Sequence, residues 1–169
     1  MMLNDREIRK LCNAGMIANF VIFGDQLQAN GFDLTLDRVS RIVGPGAVID
    51  FNNKNRVLPA TEDIPFEDTF ELPPRVVLMP GVYIFHSSEI LNMPNDIAAF
   101  GVPRSSMSRC GNFLQSAAID SGYKGRLNCP VLIMIPTEFY FKARFVQLLF
   151  YKLTGEAQRP YDGIFKEKI

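Results

Sequence analysis

Two polar segments in the second half of the chain have the residue types that could bind phosphate and activate a water molecule. In the first, Arg104, Ser105 and Ser106 follow an apolar run. A guanidinium, two hydroxyls and loop N–H groups together donate to phosphate oxygens. In the second, Asp120 precedes the tight-turn pair 121–122, where a carboxylate could orient and deprotonate a water. Two plainer interpretations stay open: a serine that caps a helix, and an aspartate that stabilises a turn.

Two further polar residues interrupt strand-like runs. Asp33 heads the alternating run 33–37, and Gln147 lies inside the apolar run 144–150. A buried amide at such a position needs a hydrogen-bond partner. Each residue could equally be solvated, Asp33 in a turn and Gln147 on the outer face of an edge strand. By themselves, these segments name candidate residues and not a reaction.

The elements that must position these residues are mostly short strands. Glycines and prolines separate apolar or alternating runs at 75–79, 81–85, 97–100, 131–135 and 145–150. This spacing predicts an all-β fold, a jelly roll or distorted β-barrel. The exception is a short N-terminal helix, which Asn4 caps with Glu7 in the capping-box position and which ends near Gly15. The irregular, acidic stretch 52–74 predicts an exposed excursion and not a domain boundary.

Length, charge and cysteine content restrict the possible classes of function. A chain of 169 residues with 47% hydrophobic content predicts one domain, residues 1–169. Eighteen basic and eighteen acidic residues balance, which disfavours a nucleic-acid partner. Three widely spaced cysteines and one histidine do not fit a structural zinc site or the zinc deaminase signature. We expect reduced cysteines and a cytoplasmic protein, or one in the host cytoplasm if viral, with no membrane partner.

Taken in order, these segments resemble the dUTPase/dCTP-deaminase superfamily, in its archaeal or viral branch. The opening 3–8, L-N-D-R-E-I, resembles the start of dCTP deaminases, and 31–34, G-F-D-L, resembles the first superfamily motif. The second, third and fourth motifs are resembled by 103–106, P-R-S-S, by 119–125, I-D-S-G-Y-K-G, and by 147–150, Q-L-L-F. The resemblance spans nearly the whole chain. It implies a homotrimer of jelly-roll subunits with active sites between subunits.

The resemblance also implies a reaction and a role for each matching residue. The implied activity is that of a dUTP diphosphatase, which hydrolyses dUTP at the α-phosphorus to dUMP and pyrophosphate with Mg²⁺ as cofactor. Asp120 would activate the water and Arg104 would hold the phosphates, while Asp33 would act on Mg²⁺ through water. The substrate-binding candidates are Ser105, Ser106, Arg109, Gln115, Gly122, Tyr123, Gln147, Phe165 and Lys166.

The main alternative is a dCTP deaminase, or a bifunctional enzyme that also hydrolyses dUTP. The double serine followed by Arg109, and the tail segment 159–161, R-P-Y, resemble deaminases. In deaminases a glutamate on the strand that leaves the hairpin acts as base, and Pro130 occupies that position here. The next acid, Glu138, is expected in a turn. Since proline has no side-chain base, the sequence favours hydrolysis without deamination; Gln115 is the candidate that reads the base.

The C-terminal segment departs from the hydrolase pattern. Hydrolases of this family end in a glycine-rich arm that closes over the nucleotide, and 155–169 lacks that composition. We expect this tail to lie over the active site, where Phe165 could stack on the base and Lys166 could touch phosphate. A non-catalytic nucleotide-binding regulator with the same fold is the alternative from another class. Such a protein would not need both Asp33 and Asp120.

Overall fold

The computed structural model describes residues 1–68 and 70–166. The helices are α1 (Asp5–Asn13), α2 (Phe23–Gln26) and α3 (Ser105–Arg109). The strands are β1 (Ile17–Ala18), β2 (Leu27–Gln28), β3 (Gly31–Val43), β4 (Ala60–Ile64), β5 (Arg75–Leu78), β6 (Gly81–Asn92), β7 (Ile97–Pro103), β8 (Asn112–Leu114), β9 (Ala117–Ile119), β10 (Lys124–Ile133), β11 (Thr137–Tyr140) and β12 (Arg144–Lys152).

Ten of these strands form one curled antiparallel sheet, whose main order is β8-β10-β6-β3-β12-β7-β9. Strands β1, β2 and β4 pair with its central strands, and β5 and β11 form a separate pair. Alternate residues of the long strands are apolar and point to one core, whose largest fully buried side chains include Phe32, Phe85, Phe145 and Phe150. The architecture confirms the predicted all-β, jelly-roll-like fold with a short N-terminal helix.

Helix α1 begins where the sequence predicts. The Glu7 N–H donates to Asn4 Oδ1 at 3.0 Å, which is the expected N-cap hydrogen bond. Ile8 and Cys12 are buried against the sheet. Gly15 follows the helix with a φ of +89°, a left-handed conformation that glycine adopts without steric cost.

The stretch 52–74 is mostly exposed, as predicted, but it is not irregular throughout, and the prediction that Glu138 lies in a turn is wrong. The stretch 52–74 contains β4, which pairs with β3 and places Glu62 Oε2 2.6 Å from Arg41 Nη2. Glu138 lies in β11 and not in a turn, with its Oε2 2.8 Å from Arg75 Nη1. In both cases the acid faces an arginine on the neighbouring strand, and such opposite-charge pairs favour strand pairing that single-sequence patterns do not reveal.

The three cysteines are all free thiols. Cys12 and Cys129 are buried, and Cys110 is exposed. Burial raises the pKa of Cys12 to about 11 and that of Cys129 to about 12, so these two thiols are unreactive packing residues, as predicted. None of the helices in the described part of the chain is long and apolar enough to cross a membrane.

Candidate active site

The turn between β9 and β10 forms one wall of a pocket of about 250 Å³. Tyr123 N–H donates to the Asp120 carbonyl at 3.2 Å, which closes the turn. Two hydrogen bonds to the Met93 backbone, from Gly122 N–H and to Tyr123 O, hold the turn against the sheet. The pocket is lined by Asp120, Tyr123, Leu127, Asn128, Tyr161 and Phe165, together with the residues of β9. The structure therefore brings three predicted residues together in this pocket, Asp120, Tyr123 and Phe165, and places Gly122 in the turn beside it.

The C-terminal segment packs against this turn. Tyr161 N–H donates to Ser121 O at 2.8 Å, and the Tyr161 ring meets the Tyr123 ring edge to face at 5.4 Å between centroids. Phe165 continues the pocket wall. Lys166 Nζ lies 3.3 Å from Asp162 Oδ1, so its ammonium is paired inside the tail, whereas the prediction placed it on phosphate.

Gly122 makes the contact with the tail possible. Its φ is +79°, and a Cβ at this position would lie 2.6 Å from Pro160 Cβ. Gly15 has a similar φ of +89°, but no atom lies within 4 Å of a Cβ placed there. The two glycines therefore share a backbone conformation and differ in what a side chain would meet.

We expect Gly122→Ala to displace the tail and Gly15→Ala to leave it in place. Both variants lose about 1–2 kcal/mol of stability because alanine is strained at positive φ. Only Gly122→Ala also places a methyl group against Pro160. Only this variant should therefore become sensitive to limited proteolysis at bonds within the segment that follows residue 158. Equal proteolysis rates in both variants would show that the close contact at Gly122 does not hold the tail.

A second group of predicted residues lies where β3, β7 and β12 meet. Asp33 pairs with Gln147 across β3 and β12, and Gln147 pairs with Val102 across β12 and β7. Arg104 follows β7 directly, and its Nε lies 2.9 Å from Asp33 Oδ2. Arg144, for which the sequence predicts no role, adds its Nη1 at 3.4 Å from the same oxygen. Three motif residues that are far apart in sequence thus form one cluster.

The carboxylate of Asp33 is almost fully buried, with 2% of the side chain exposed. Burial raises its pKa, and Arg104, then Arg144 and Gln147, act in the opposite direction. Oδ2 accepts from the arginines, whereas Oδ1 has no hydrogen-bond partner within the described residues. Asp33 therefore orients Arg104 and leaves one buried oxygen unsatisfied.

The structure tests whether this cluster suits a divalent cation. The described segments contain no group of three or more His, Cys, Asp or Glu side chains that could cage a metal ion. Mg²⁺ bound to a nucleotide needs no such cage, because it keeps several waters and takes one or two carboxylates plus substrate phosphates. The unsatisfied Asp33 Oδ1 is one hard oxygen of this kind, so the residues fit a cation that arrives with its phosphates and is contacted through water.

Helix α3 presents the predicted serines to solvent. Its N-cap is Arg104, without a side-chain cap hydrogen bond, so the alternative in which a serine caps this helix is wrong. Ser105 and Ser106 are exposed in the first turn and Arg109 is exposed in the last. Both serines therefore follow Arg104 directly in sequence and are open to solvent.

Gly31 allows β3 to approach β12 closely at Gln147. A Cβ on Gly31 would lie 2.6 Å from Leu148 O and 2.9 Å from Gln147 Cγ. Any larger residue would push the two strands apart at the point where Asp33 and Gln147 face each other. The glycine of the first motif is thus explained by close backbone approach.

The structure places Gln115 apart from the Asp120 pocket. Gln115 lines a second, more open cavity of about 270 Å³ together with Pro130 and the exposed side chains of Val82, Phe113 and Leu132. Its backbone N–H donates to Pro130 O at 3.0 Å. The residue predicted to read the base and the position of the deaminase glutamate therefore lie together, outside the pocket that holds Asp120.

Strand β7 separates the Asp120 pocket from the Arg104 cluster. Ile119 pairs with Ala99, so Asp120 is level with position 98 near the start of β7, whereas Arg104 follows its end. The positions from 98 to 104 span about 20 Å at ~3.3 Å per residue. The two groups of one chain therefore lie towards opposite ends of β7.

Three residues of the site were not singled out from sequence: Arg144, Asn128 and Tyr161. Arg144 begins the strand that carries Gln147. A charged residue at the start of this apolar run was the only signal in the sequence, because its contact with the buried Asp33 depends on strand pairing. Asn128 is an exposed polar residue on the alternating strand β10, a pattern typical of any solvated face. Tyr161 was noticed only as part of the deaminase-like tail segment 159–161.

Comparison with known proteins agrees with this geometry. Residues 2–153 match the family model described as dCTP deaminase-like. The chain is 38% identical over 172 aligned residues to a probable deoxyuridine 5′-triphosphate nucleotidohydrolase of Methanococcoides burtonii, covering 99% of this chain and 98% of that protein. It is 35% identical to the deoxyuridine 5′-triphosphate nucleotidohydrolase of Methanocaldococcus jannaschii, covering 84% of this chain and 88% of that protein.

A solved structure resembles most of this chain. The 2′-deoxycytidine 5′-triphosphate deaminase of Agrobacterium tumefaciens superposes with a TM-score of 0.65 at 27% identity. The match covers 88% of this chain and 46% of that chain, so this chain spans under half the length of that deaminase.

Proposed function

This chain belongs to the dCTP deaminase-like family, and from that premise we propose that it is an enzyme that hydrolyses dUTP to dUMP and pyrophosphate. The observation that carries the proposal is the pocket in which Asp120 is exposed beside the buried ring of Tyr123. The position at which deaminases have a glutamate base holds Pro130 and lies in another cavity. The site therefore has a base for water and none for attack on cytosine C4.

Asp120 acts as the general base for the reaction. Its carboxylate takes a proton from water as the water oxygen bonds to the α-phosphorus of dUTP. The bond from the α-phosphorus to the bridging oxygen breaks, and the electron pair leaves with pyrophosphate. Arg104, with the hydroxyls of Ser105 and Ser106, neutralises and orients the phosphates, and Gln147 contacts the α-phosphate. Tyr123 packs on the deoxyribose.

The cofactor in this proposal is Mg²⁺. When bound, it would supply positive charge that neutralises the phosphate oxygens. The residue that would hold it, through water, is Asp33, whose Oδ1 is buried without a hydrogen-bond partner in residues 1–68 and 70–166. The three free thiols fit a reducing compartment, so we place the reaction in the cytoplasm.

The enzyme acts as a homotrimer, with the Asp120 pocket of one subunit facing the Arg104 cluster of another. The separation of about 20 Å along β7 supports this arrangement, because one chain alone has two half-sites. An exposed apolar row supports it too: Val82, Leu132 and Phe113 lie side by side on β6, β10 and β8, each 41–53% exposed. Contiguous apolar surface of this kind indicates a protein interface.

Mixed trimers test the shared site. Asp120→Asn removes the base. Arg104→Lys removes the bidentate contact with phosphate and keeps a positive charge beside Asp33. Each variant alone should have little activity. When the two are unfolded and refolded together, about a quarter of the sites should combine two intact residues from different subunits and recover turnover. Activity that stays at the level of the separate variants would place both residues in the same subunit's site.

Product analysis tests the reaction itself. The purified protein is incubated with dUTP and, separately, with dCTP, each with Mg²⁺, and the nucleotides are separated by chromatography. We expect dUMP and pyrophosphate from dUTP, and unchanged dCTP. Formation of dUTP or dUMP from dCTP would show that the protein is a deaminase with a base other than the residue at position 130. Binding without turnover would favour a nucleotide-binding regulator.

A further inference from the structure

The side chain of Gln26 binds the backbone of Asp33 at the point where a strand pairing stops. Strand β2 pairs Leu27 with Phe32, so continued pairing would bring Gln26 opposite Asp33, but Gln26 belongs to α2. Its side-chain Nε2 instead donates to Asp33 O at 2.8 Å. Gln26 is 1% exposed, so this contact lies in the protein interior. The amide therefore holds the backbone from which the Asp33 carboxylate reaches Arg104.

Peptide groups on both sides determine the orientation of this amide. Gln26 Oε1 accepts from the N–H groups of Val21 at 2.7 Å and Ile22 at 3.0 Å. A peptide N–H can only donate and a peptide carbonyl can only accept, so Oε1 faces the two N–H groups and Nε2 faces Asp33. The second hydrogen on Nε2 goes to Glu89 Oε1 at 2.7 Å. All the donors and acceptors of the amide are thus in use, and its orientation has no alternative.

Glu89 holds the amide from the other side. Its side chain is fully buried, Oε2 accepts from Thr35 N–H at 2.9 Å, and Oε1 lies 2.7 Å from the Thr35 hydroxyl. That hydroxyl has one proton, which it donates to the carboxylate, so it accepts from the Ser88 hydroxyl at 2.9 Å. The Ser88 oxygen in turn accepts from Lys142 Nζ at 2.9 Å. Each of these protons has one acceptor, and a fully satisfied buried network is rigid.

We propose that Gln26 is a positioning residue for the phosphate-binding half of the site, and that Glu89 holds its amide in place. Gln26 fixes the carbonyl of Asp33, and the carboxylate of the same residue has its Oδ2 2.9 Å from Arg104 Nε. A shift of this backbone would redirect the guanidinium, and a small misplacement weakens interactions that depend on orientation. The inference rests on the proposed function, because it takes Arg104 to hold the phosphates of dUTP.

An exchange of the two side chains isolates the contact with Asp33. In the double variant Gln26→Glu with Glu89→Gln, the carboxylate at position 26 still accepts from the N–H groups of Val21 and Ile22 and gains a donor in the amide at position 89. The oxygen of that amide still accepts from the N–H of residue 35. Only the carbonyl of residue 33 is left without its side-chain donor. Gln26→Glu alone is unsuitable, because it would place two buried carboxylates in contact.

Thr35→Val is the matched control. It removes another hydrogen bond of 2.7 Å to the same carboxylate, at an equally buried position, and leaves the contact between Gln26 and Asp33 in place. Both changes should lower the urea concentration at the midpoint of unfolding, since each leaves a buried group without its partner. A loss of stability therefore does not distinguish the variants, whereas nucleotide binding does.

Nucleotide affinities are measured by calorimetry in the Asp120→Asn background, in which dUTP should be hydrolysed about 10²–10⁴-fold more slowly. The ratio of the affinities for dUTP and dUMP reports on the groups that hold the outer phosphates. We expect the exchanged pair to lower this ratio about tenfold by weakening dUTP, and Thr35→Val to leave it unchanged. If the exchanged pair does not fold, Gln26→Met, which has a similar volume and no donor, should lower the ratio in the same way.

The outcomes separate this inference from the proposed function. A ratio that is unchanged in the folded variant at position 26 would show that the contact with Asp33 does not position Arg104. An equal decrease in Thr35→Val would show that the buried network only supports the fold. Either result overturns this inference alone. If the background protein bound dUTP no more tightly than dUMP, Arg104 would not hold the phosphates, and that part of the proposed function would be wrong as well.

Discussion

Asp120→Asn is expected to lower the turnover of dUTP by about 10²–10⁴-fold while the affinity for the nucleotide changes little. The substitution keeps the size and shape of the side chain and removes the group that takes the proton from water. Because the Asp120 side chain is exposed at the pocket, the fold should not be affected. The measurement is steady-state hydrolysis of dUTP combined with calorimetric binding of dUMP.

Asp68→Asn is the matched control, because Asp68 is also exposed and lies outside the pocket. This variant should keep the activity of the unaltered protein. If Asp120→Asn retained turnover within a few-fold of the unaltered protein, another group would have to activate the water, and the assignment of Asp120 would be wrong.

Arg104→Ala is expected to lower the free energy of unfolding by about 3 kcal/mol at pH 8, because it leaves the buried carboxylate of Asp33 with only the longer contact to Arg144. Arg104 is the largest opposing influence on the burial that raises the pKa of Asp33, so its removal raises this pKa further. A raised pKa means that the folded protein binds a proton more tightly than the unfolded chain. The deficit should therefore shrink as the pH falls and Asp33 becomes protonated.

The measurement is urea denaturation at pH 8 and pH 5, at one protein concentration because assembly into the proposed trimer would contribute to stability. Arg109→Ala, an exposed arginine at the other end of α3, should change stability by less than about 0.5 kcal/mol. Asp33→Asn should suppress much of the loss in the double variant, because no buried charge is then left. A loss that is the same at both pH values would show that Arg104 stabilises the protein by packing and not through the charge of Asp33.

The fold could be predicted because short-range signals agree with the tertiary structure. The capping box at Asn4, the alternating strands and the turn at Ser121-Gly122 each depend on a few neighbouring residues. The acidic residues of β4 and β11 were assigned to irregular segments because what places them in strands is an arginine elsewhere in the chain. Propensity is overridden by such cross-strand partners.

In the candidate site, too, the sequence identifies single residues, whereas their contacts depend on the tertiary structure. Asp33, Arg104 and Gln147 were found as separate motif residues, and their cluster depends on the order of β3, β12 and β7, which sequence periodicity does not give. Asn128 could not be identified from the sequence because its contact with His86 depends on the pairing of β10 with β6. Gln115 was a candidate because it lies between Arg109 and Asp120 along the chain, whereas the structure places it in the cavity with Pro130.

The length of β7 has a consequence for reading the evolutionary record of such proteins. In the proposed homotrimer, natural selection acts on the assembled catalytic centre, so changes at positions next to Asp120 and Arg104 should be correlated among related genes even though the two residues lie about 20 Å apart along β7 within one chain. A contact map inferred from such correlations would draw them together and distort a monomer built from it. Correlated pairs that lie too far apart within one chain would instead indicate how the subunits of the proposed trimer are arranged around its symmetry axis.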